Sequence, residues 1–386
     1  MINASEVFHT VGFAAVSLAC GYSLLALLAV CLGPKKRPRD IASPNAPPVT
    51  VLKPLCGAEA ELERCLRSFC DQDYSEFQIV FGIQDGDDPA LAVARRVRDA
   101  YPGHDIEIVV DTRQWGTNRK VSNLINMMTA ARHDRLVLAD SDILVGRDYL
   151  ARVTAPLADP GVGLATCLYR GWAGPGLWSR LGALFIDDWF MPSVLISHRL
   201  GNDEFVSGAT IAVRRETLDA IGGFGAVADR VADDHALGEC VRGLGLQVAV
   251  CDYVVSTWVY NSGPATLVDQ ETRWMRTIHS LQPLSYDLLF VTLALPLIAI
   301  SLVLDWRQAP VLALIGLTVI ARAALHGVQN VRAGRRSWHN LAGLPLREAL
   351  TAYSWLLGLA VRRVRWRGRR YWIADDGSLK HVAPRD

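Results

Sequence analysis

Two pairs of acidic residues follow apolar runs that are typical of buried strands. The run RLVLAD ends at Asp140, and Asp142 follows after one serine. The earlier run FQIVFGIQD ends at Asp85, and Asp88 follows it closely. Carboxylate oxygens are preferred ligands of Mg²⁺ and Mn²⁺, and such a cation neutralises a diphosphate leaving group. An ordinary polar turn uses the same residue types, so the spacing alone leaves both interpretations open.

A third acidic pair could supply a general base. Asp233 and Asp234 stand in ADRVADDHALGECV, at the predicted start of a helix, where the helix dipole keeps a carboxylate ionised. A base of this kind takes the proton from an attacking hydroxyl group. Aspartate is also a preferred N-cap residue, so helix capping is the alternative interpretation of this pair.

A polar and aromatic group lies further along the chain. In DQETRWMRT, Gln270, Arg273 and Trp274 occupy positions i, i+3 and i+4 and therefore share one face of a predicted helix. An arginine can bind a phosphate through two hydrogen bonds, and a tryptophan plane can pack against a sugar or an acyl chain. A surface helix near a membrane is the alternative interpretation.

Alternating apolar and amphipathic segments must position these residues. Over residues 49–283, strand-like runs alternate with helix-like segments, which predicts an α/β domain with a mainly parallel sheet. Strands are predicted in VTVLKPL, FQIVFGIQD, IEIVV and RLVLAD, and helices in EAELERCLRSFCDQ, PALAVARRVRDAY and RKVSNLINMMTAAR. Ligands bind at the carboxyl ends of the strands in such sheets. The first two acidic pairs are predicted at such ends.

The N-terminal segment predicts a membrane anchor. The uncharged run from Phe8 to Leu32 exceeds the roughly 20 residues that cross a bilayer, so residues 1–34 are predicted to form a transmembrane helix. A secretory signal peptide is the alternative, but MINASEV carries no positive charge and the run exceeds the roughly 7 to 15 residues of a signal core. The basic residues of GPKKRPRD begin a linker predicted at residues 35–48 and place the following domain in the cytosol.

The C-terminal part contains further apolar runs. Leu288 to Leu304 and Pro310 to Ile320 predict a transmembrane hairpin over residues 284–330. A last run, Leu350 to Val361, has arginines on both flanks, so residues 331–386 are predicted to hold an interfacial or re-entrant helix and a basic tail. A further transmembrane span is the alternative interpretation of this run.

The composition agrees with a protein that lies partly outside water. Of the 386 residues, 51% are hydrophobic, and the net charge is +1. No nucleic-acid partner is predicted, because the arginine-rich tail lies beside apolar segments and suits anionic lipid better. The eight cysteines form no C-x-x-C pair and no metal-finger spacing, so we predict reduced thiols.

The motifs occur in an order that resembles a known family. The order KPL, QDGDDP, NRKVSNL, DSD, VSGAT, ADDHA and QETRW is similar to that of ceramide glucosyltransferases and their bacterial relatives, a branch of the inverting glycosyltransferases with the GT-A (Rossmann-like) fold. The resemblance implies that Asp88, with Asp85, is the first aspartate motif, that Asp140 belongs to the second, and that Asp234 is the third and the catalytic base.

The same resemblance implies roles for further residues. Gln270, Arg273 and Trp274 match the family's Q-x-x-R-W motif and are predicted to be catalytic. Lys120 and Asn123 fall where relatives contact the nucleotide diphosphate. The predicted donor-binding residues are therefore Lys53, Asp85, Asp88, Lys120, Asn123 and Asp140.

The resemblance also implies an activity. It is the transfer of one hexose from a UDP-sugar to a hydroxyl of a membrane lipid, with Mg²⁺ or Mn²⁺ held by Asp140 and Asp142. Animal members resemble D-S-G at this motif, so Asp142 completes a fuller ligand set. UDP-glucose and ceramide are the first donor and acceptor. The bacterial branch also contains enzymes that transfer from UDP-N-acetylglucosamine to a hopanoid, which is the alternative. We expect an integral protein of a bacterial inner membrane.

Two other functions remain as alternatives. A processive polysaccharide synthase shares Q-x-x-R-W, but it would need more membrane spans than the apolar runs supply. A non-catalytic sensor of sugar nucleotides would be expected to have lost the base or a metal ligand. Asp140, Asp142, Asp234 and Arg273 are all present, so an enzyme is the favoured interpretation.

Overall fold

The computed structural model describes residues 4–34, 46–201, 205–305, 308–335, 340–366 and 369–381. Most of the predicted basic linker, residues 35–45, lies outside these residues, as does Arg367 of the basic tail. The strands are β1 Val49–Leu55, β2 Phe77–Ile83, β3 Asp105–Val110, β4 Arg135–Leu138, β5 Ile143–Leu144, β6 Val162–Ala173, β7 Ile211–Arg214, β8 Gln247–Val259, β9 Arg363–Trp366, β10 Arg369–Ile373 and β11 Leu379–His381.

Helices separate most of these strands along the chain, and the first helix precedes β1. They are α1 Ala4–Leu32, α2 Leu62–Cys70, α3 Ala90–Ala100, α4 Arg119–Met127, α5 Tyr149–Thr154, α6 Leu177–Phe185, α7 Met191–Arg199, α8 Arg215–Ala220, α9 Asp233–Gly243, α10 Pro264–Leu281, α11 Pro283–Asp287, α12 Ala294–Asp305, α13 Ala309–Arg332 and α14 Leu344–Ala360. A π-helical turn, Ile186–Phe190, joins α6 to α7.

The central sheet has the strand order β3-β2-β1-β4-β7-β6-β8-β5 in the described part of the chain. Its first four strands are parallel, and β6 runs parallel to β8. Strand β7 is antiparallel to both β4 and β6, and β5 is antiparallel to β8. The predicted α/β sheet is confirmed. The second half of the sheet contains both parallel and antiparallel pairs. An apolar run in the sequence cannot predict this, because it does not show in which direction the neighbouring strand runs.

Helices cover both faces of the sheet. Every residue of β1 is buried, as expected for a strand that is covered on two sides. Alternate residues of this strand enter different apolar clusters, with Val51 on one face and Leu52 on the other. At Gly82 of β2, a Cβ atom would lie 2.3 Å from the sulfur of Met127 on α4. The glycine therefore lets α4 pack directly against the sheet.

Two helices are long and apolar enough to cross a membrane in the described residues, α1 from Glu6 and α13. The predicted run from Leu288 to Leu304 is not one straight helix, because a 3₁₀ turn at Leu288–Thr292 precedes α12 and the two parts meet at 60°. The three elements pack together, and Ser301 of α12 donates a hydrogen bond to the carbonyl of Gly12 at 2.7 Å. The domain boundaries themselves remain predictions.

Helix α14 has its polar face inside the protein. It begins at Leu344, earlier than the predicted run from Leu350 to Val361, because Arg347 and Glu348, which precede that run, belong to the helix and are buried. Ser354 is also fully buried, whereas Leu356 is 55% exposed. A helix on a water-facing surface has the opposite arrangement. The outward apolar face therefore favours lipid as the neighbour of α14.

A buried ion pair joins α14 to α10. The Arg347 guanidinium donates to both carboxylate oxygens of Glu271, at 2.5 and 2.6 Å, and the hydroxyl of Ser354 donates to the same carboxylate at 2.9 Å. Both charged side chains are almost completely removed from solvent. A buried charge that loses its partner is strongly destabilising, so this pair constrains how the two helices pack.

We predict that Glu271→Ala lowers the free energy of unfolding by about 3 to 5 kcal/mol, because the Arg347 guanidinium would remain buried without its carboxylate. Urea unfolding of the detergent-solubilised protein measures this change. Asp269→Ala is a matched control on the same helix: its ion pair with Arg365 is exposed, so a loss of about 0 to 1 kcal/mol is expected. Equal losses in the two variants would contradict the prediction.

Candidate active site

Strand β1 carries a buried lysine under the second acidic motif. The Lys53 ammonium donates to the backbone carbonyl of Asp140 at 2.5 Å and lies 3.9 Å from the centre of the Phe69 ring. Burial lowers the pKa of Lys53 to about 8, although Asp142 and Asp140 oppose this shift. Lys53 therefore supports the main chain of the DSD loop from within the domain.

The first acidic motif forms a turn after β2. Asp88 accepts hydrogen bonds from the backbone N–H of Gly57 at 2.9 Å and from that of Ala90 at 2.8 Å. It thereby ties the loop that follows β1 to the first turn of α3. Asp85 is exposed, and one of its oxygens accepts the N–H of Asp87 at 3.0 Å. Asp88 is thus engaged by the protein, whereas Asp85 faces solvent.

Helix α4 presents Lys120 to two acidic motifs at once. Asn118 caps this helix, and its Oδ1 accepts the backbone N–H groups of Lys120 and Val121 at 3.0 and 3.3 Å. The Lys120 ammonium lies 2.8 Å from Oδ1 of Asp140 and 3.3 Å from Oδ2 of Asp233. Burial alone would lower the pKa of Lys120, but the two carboxylates outweigh it and raise the pKa. Lys120 therefore stays protonated between the second and third motifs.

Gly208, in the VSGAT motif, marks the place where these groups converge. Its N–H donates to Oδ2 of Asp234 at 2.7 Å. A Cβ atom at this position would lie 3.0 Å from the Lys120 ammonium, 3.4 Å from Oδ2 of Asp234 and 3.5 Å from Oδ2 of Asp140. Only a residue without a side chain leaves this space open. The structure thus brings three of the predicted site residues around one glycine.

The third acidic motif begins α9 without capping it. The N-cap position is Ala232, so neither Asp233 nor Asp234 is the N-cap residue of the alternative interpretation. Burial and the charge of Asp233 raise the pKa of Asp234, while Lys120 and the N–H groups of His235 and Gly208 lower it. The net shift is upward, which makes Asp234 a better proton acceptor than an exposed aspartate.

Asp142 is held on the opposite side of the DSD loop. Its Oδ2 accepts the hydroxyl of Thr257 at 2.8 Å, and its carbonyl accepts the N–H of Trp258 at 2.9 Å. Burial, followed by the charges of Asp140 and Glu59, raises the pKa of Asp142 to about 6. The repulsion between Asp140 and Asp142 is the kind that a bound cation relieves.

The donor set fits a metal ion that is shared with a ligand. The described residues contain no group of three or more His, Cys, Asp or Glu side chains that could hold a metal alone. Mg²⁺ is typically bound by one or two carboxylates together with substrate phosphates and water, so Asp140 and Asp142 match this requirement.

Helix α10 carries the Q-x-x-R-W residues toward two different neighbours. The Arg273 guanidinium lies 5.3 Å from the ring centre of Trp366 in β9. The Trp274 ring stacks on Phe185 of α6, with ring centres 5.7 Å apart. Gln270 is half-buried one turn earlier. Arg273 and Trp274 are thus positioned by contacts with the C-terminal strands and with α6.

Asn123 lies apart from the other predicted site residues, and Tyr169 lies near them although the sequence did not predict it. Asn123 is buried and donates to the carbonyl of Gly82 at 2.8 Å, so the structure does not place it with Lys120 and Asp140. Tyr169 of β6 had not been singled out, yet its pKa is raised by burial and then by Asp234, Asp142 and Asp140. Its ring centre lies 5.3 Å from that of Phe190. Nothing in the motif order points to this tyrosine. For Asn118, which caps the helix of Lys120, the preference of asparagine for N-cap positions is a signal in the sequence.

Comparison with known proteins identifies the family of the chain. The family model described as glycosyl transferase family 21 matches residues 11–379. Ceramide glucosyltransferase 1 from Caenorhabditis elegans is 23% identical over 244 residues, which are 62% of this chain and 52% of the relative. A ceramide glucosyltransferase from Komagataella phaffii is 34% identical over 113 residues, 28% of this chain and 22% of the relative. The matched regions thus span about half or less of these relatives.

A solved structure supports the fold. The mannosyltransferase PcManGT from Pyrobaculum calidifontis, in complex with GDP-Man and Mn²⁺, matches with a TM-score of 0.55 and 20% identity. The match covers 91% of this chain and 99% of that one. This likeness confirms the predicted GT-A fold, and the family match extends over almost the whole chain. The chain therefore belongs to glycosyltransferase family 21 and has the GT-A fold.

Proposed function

We propose that this protein transfers one hexose from UDP-glucose to the hydroxyl group of ceramide, with inversion at the sugar. The observation that carries the proposal is the convergence of Asp140, Lys120 and Asp234 around Gly208 at the ends of the strands. A diphosphate leaving group needs cations, and an attacking hydroxyl needs a base. The matched ceramide glucosyltransferases support this donor and acceptor.

The leaving group is proposed to meet two sources of positive charge. Asp140 and Asp142 would hold Mg²⁺ or Mn²⁺, which neutralises the negative charge that develops on the diphosphate. Lys120 adds a protonated amine 2.8 Å from the Asp140 carboxylate. We propose that Asp85 and Asp88 contribute to donor binding on the β2 side of the same edge, with Lys53 supporting the loop that carries Asp140.

Asp234 is proposed to be the general base. Its carboxylate accepts the proton of the lipid hydroxyl while the hydroxyl oxygen bonds to the anomeric carbon and the bond from that carbon to the diphosphate breaks. This direct displacement inverts the sugar configuration. Gln270, Arg273 and Trp274 are proposed to border the acceptor side, because Trp274 and Tyr169 pack against the same buried apolar cluster. The charge of Asp234 contributes to the raised pKa of Tyr169, which relates this cluster to the proposed base.

The membrane elements support a lipid acceptor. Helices α1 and α13 are apolar enough to cross a bilayer, and they lie before and after the catalytic domain in the chain. Helix α14 directs apolar side chains outward. Its Arg347 pairs with Glu271 of α10, the helix that carries Arg273. We propose a protein of a bacterial inner membrane whose catalytic domain works at the cytosolic surface on acceptors presented there.

The substrates can be identified by direct assay. Purified protein is expected to form one monoglycosylated lipid from UDP-glucose and ceramide, as measured by mass spectrometry of the extracted lipids. Transfer only from UDP-N-acetylglucosamine to a polyhydroxylated hopanoid would replace the proposed substrates. A ladder of multiply glycosylated products would indicate a polysaccharide synthase, and nucleotide-sugar binding without any transfer would indicate a sensor.

Asp140→Ala is expected to abolish transfer, because the cation would lose one of its two protein carboxylates and would no longer neutralise the diphosphate. Binding of UDP, measured by calorimetry with and without Mn²⁺, should also lose its dependence on the metal. Asp148→Ala serves as the control, because Asp148 is an exposed carboxylate after the same loop, ion-paired with Arg152. Unchanged activity in Asp140→Ala would rule out the metal role.

Asp234→Asn should reduce turnover by about 10² or more while leaving UDP-sugar affinity unchanged, because the amide cannot accept the hydroxyl proton. Glu239→Gln, an exposed position on the same helix, should retain normal turnover. Single-turnover rates and thermal unfolding are compared for both variants. If Asp234→Asn lowers only the unfolding temperature, the carboxylate has a structural role instead.

A further inference from the structure

The C-terminal three-stranded sheet has two chemically different faces. The antiparallel register pairs Arg363 with Trp372, Val364 with Tyr371, and Arg365 with Arg370. Residues that lie opposite each other in an antiparallel pair point to the same side of the sheet. One side of β9 and β10 therefore carries Arg363, Arg365, Arg370 and Trp372, and we call it the arginine face.

The other face of this sheet packs against the catalytic domain. Val364, Tyr371, Ile373 and Leu379 form a buried cluster with Val231. The N–H of Leu379 donates to the carbonyl of Asp229 at 2.8 Å, and the N–H of Val231 donates to the carbonyl of Gly377 at 3.1 Å. This inner face thus holds the segment at residues 229–232 that leads directly into α9 and Asp234.

A second contact joins the inner face to the site. Trp366, on the same side as Val364, lies under the Arg273 guanidinium at 5.3 Å. Arg276 of α10 is buried and donates to Asp375, in the turn between β10 and β11, at 2.6 Å. The C-terminal sheet is therefore packed against the segment that leads into the helix of the proposed base and against the helix of Q-x-x-R-W.

The arginine face points to solvent and is strongly basic. All three of its arginines are exposed, and the stretch from Val361 to Ala374 contains six arginines and no acidic residue. Of these arginines, Arg365 pairs with Asp269 of α10 at 3.7 Å, and both side chains are half-exposed. Asp375 lies at the other edge and pairs with Arg276 and Arg362.

The arginine face continues the apolar surface of α14. This helix ends at Ala360, just before β9, and Leu356 and Leu359 near its end are exposed. Trp372 lies beside Arg363, with the guanidinium 5.9 Å from the ring centre. Apolar residues followed by tryptophan and arginine match the succession from acyl chains to headgroups at a bilayer surface.

We propose that the arginine face is a binding site for the headgroups of anionic phospholipids. Guanidinium groups bind phosphate through paired hydrogen bonds, and clustered basic residues beside a membrane segment attract anionic lipid. Bound lipid holds the C-terminal sheet at the bilayer while its inner face holds residues 229–232. The site deepens the proposed function, because membrane docking and the position of Asp234 then depend on the same small sheet.

Binding is tested on the full chain in mixed detergent micelles with short-chain phosphatidylglycerol, and with phosphatidylcholine of the same chain length. Hydrogen exchange of the β10 amides reports on the arginine face. Phosphatidylglycerol is expected to slow exchange and to bind more tightly than phosphatidylcholine. The triple variant R363Q/R365Q/R370Q should weaken phosphatidylglycerol binding by on the order of 10²-fold, since each of the three arginines removed contributes a similar part of the attraction to anionic lipid.

The triple variant R95Q/R96Q/R98Q on α3 removes the same charge from exposed arginines at the other end of the large sheet and should bind like the unmodified protein. Equal protection by both lipids, equal protection by inorganic phosphate, or an equal loss in the α3 variant would overturn the proposal. The readouts require no sugar transfer. Lipid binding without transfer to any lipid would therefore overturn the proposed function and leave the arginine face established.

Discussion

The ammonium group of Lys120 is the centre on which the arrangement of the site depends. It lies 2.8 Å from Asp140 and 3.3 Å from Asp233, so one cation joins the loop after β4 to the start of α9. Without it, neighbouring carboxylates in a poorly solvated space would repel one another. Two neighbouring residues make this contact possible. The Asn118 side chain caps the helix that presents Lys120, and Gly208 leaves room for the ammonium.

Helix α10 connects this site to the membrane-facing part of the protein. One of its faces holds Glu271 in a buried ion pair with Arg347 of α14, and another sets Arg273 over Trp366 of the C-terminal sheet. A buried, hydrogen-bonded ion pair has few alternative geometries, so it sets the packing of α14 more strictly than apolar contact would. Helix α10 therefore joins α14, with its outward apolar face, to the C-terminal sheet.

Local patterns predicted the elements that carry chemistry, because strand and helix periodicities depend on near neighbours. The VTVLKPL strand, the helix starting at Asp233 and the apolar helix α1 all appear where the sequence indicated. The pattern was less informative where burial is reversed. Arg347 and Glu348 precede the predicted run from Leu350 to Val361, yet they belong to the buried face of α14, because their partners Glu271 and Arg322 lie inside the protein.

The sequence by itself determined the resemblance to the family, through the order of its motifs along the chain. It also determined the α/β order and the acidic motifs at strand ends, since these depend on residue types at short spacing. Only the tertiary structure decided which of these residues meet. Lys120, Gly208 and Asp234 come from separate elements and converge because β7 is inserted antiparallel beside β4. Likewise, Asn123 shares a helix with Lys120, but it points into the sheet and bonds to Gly82. Residues three positions apart share one side of a helix, so the helical period alone predicts Asn123 beside Lys120. Only the packing of α4 against β2 decides that Asn123 bonds to the main chain of the sheet instead.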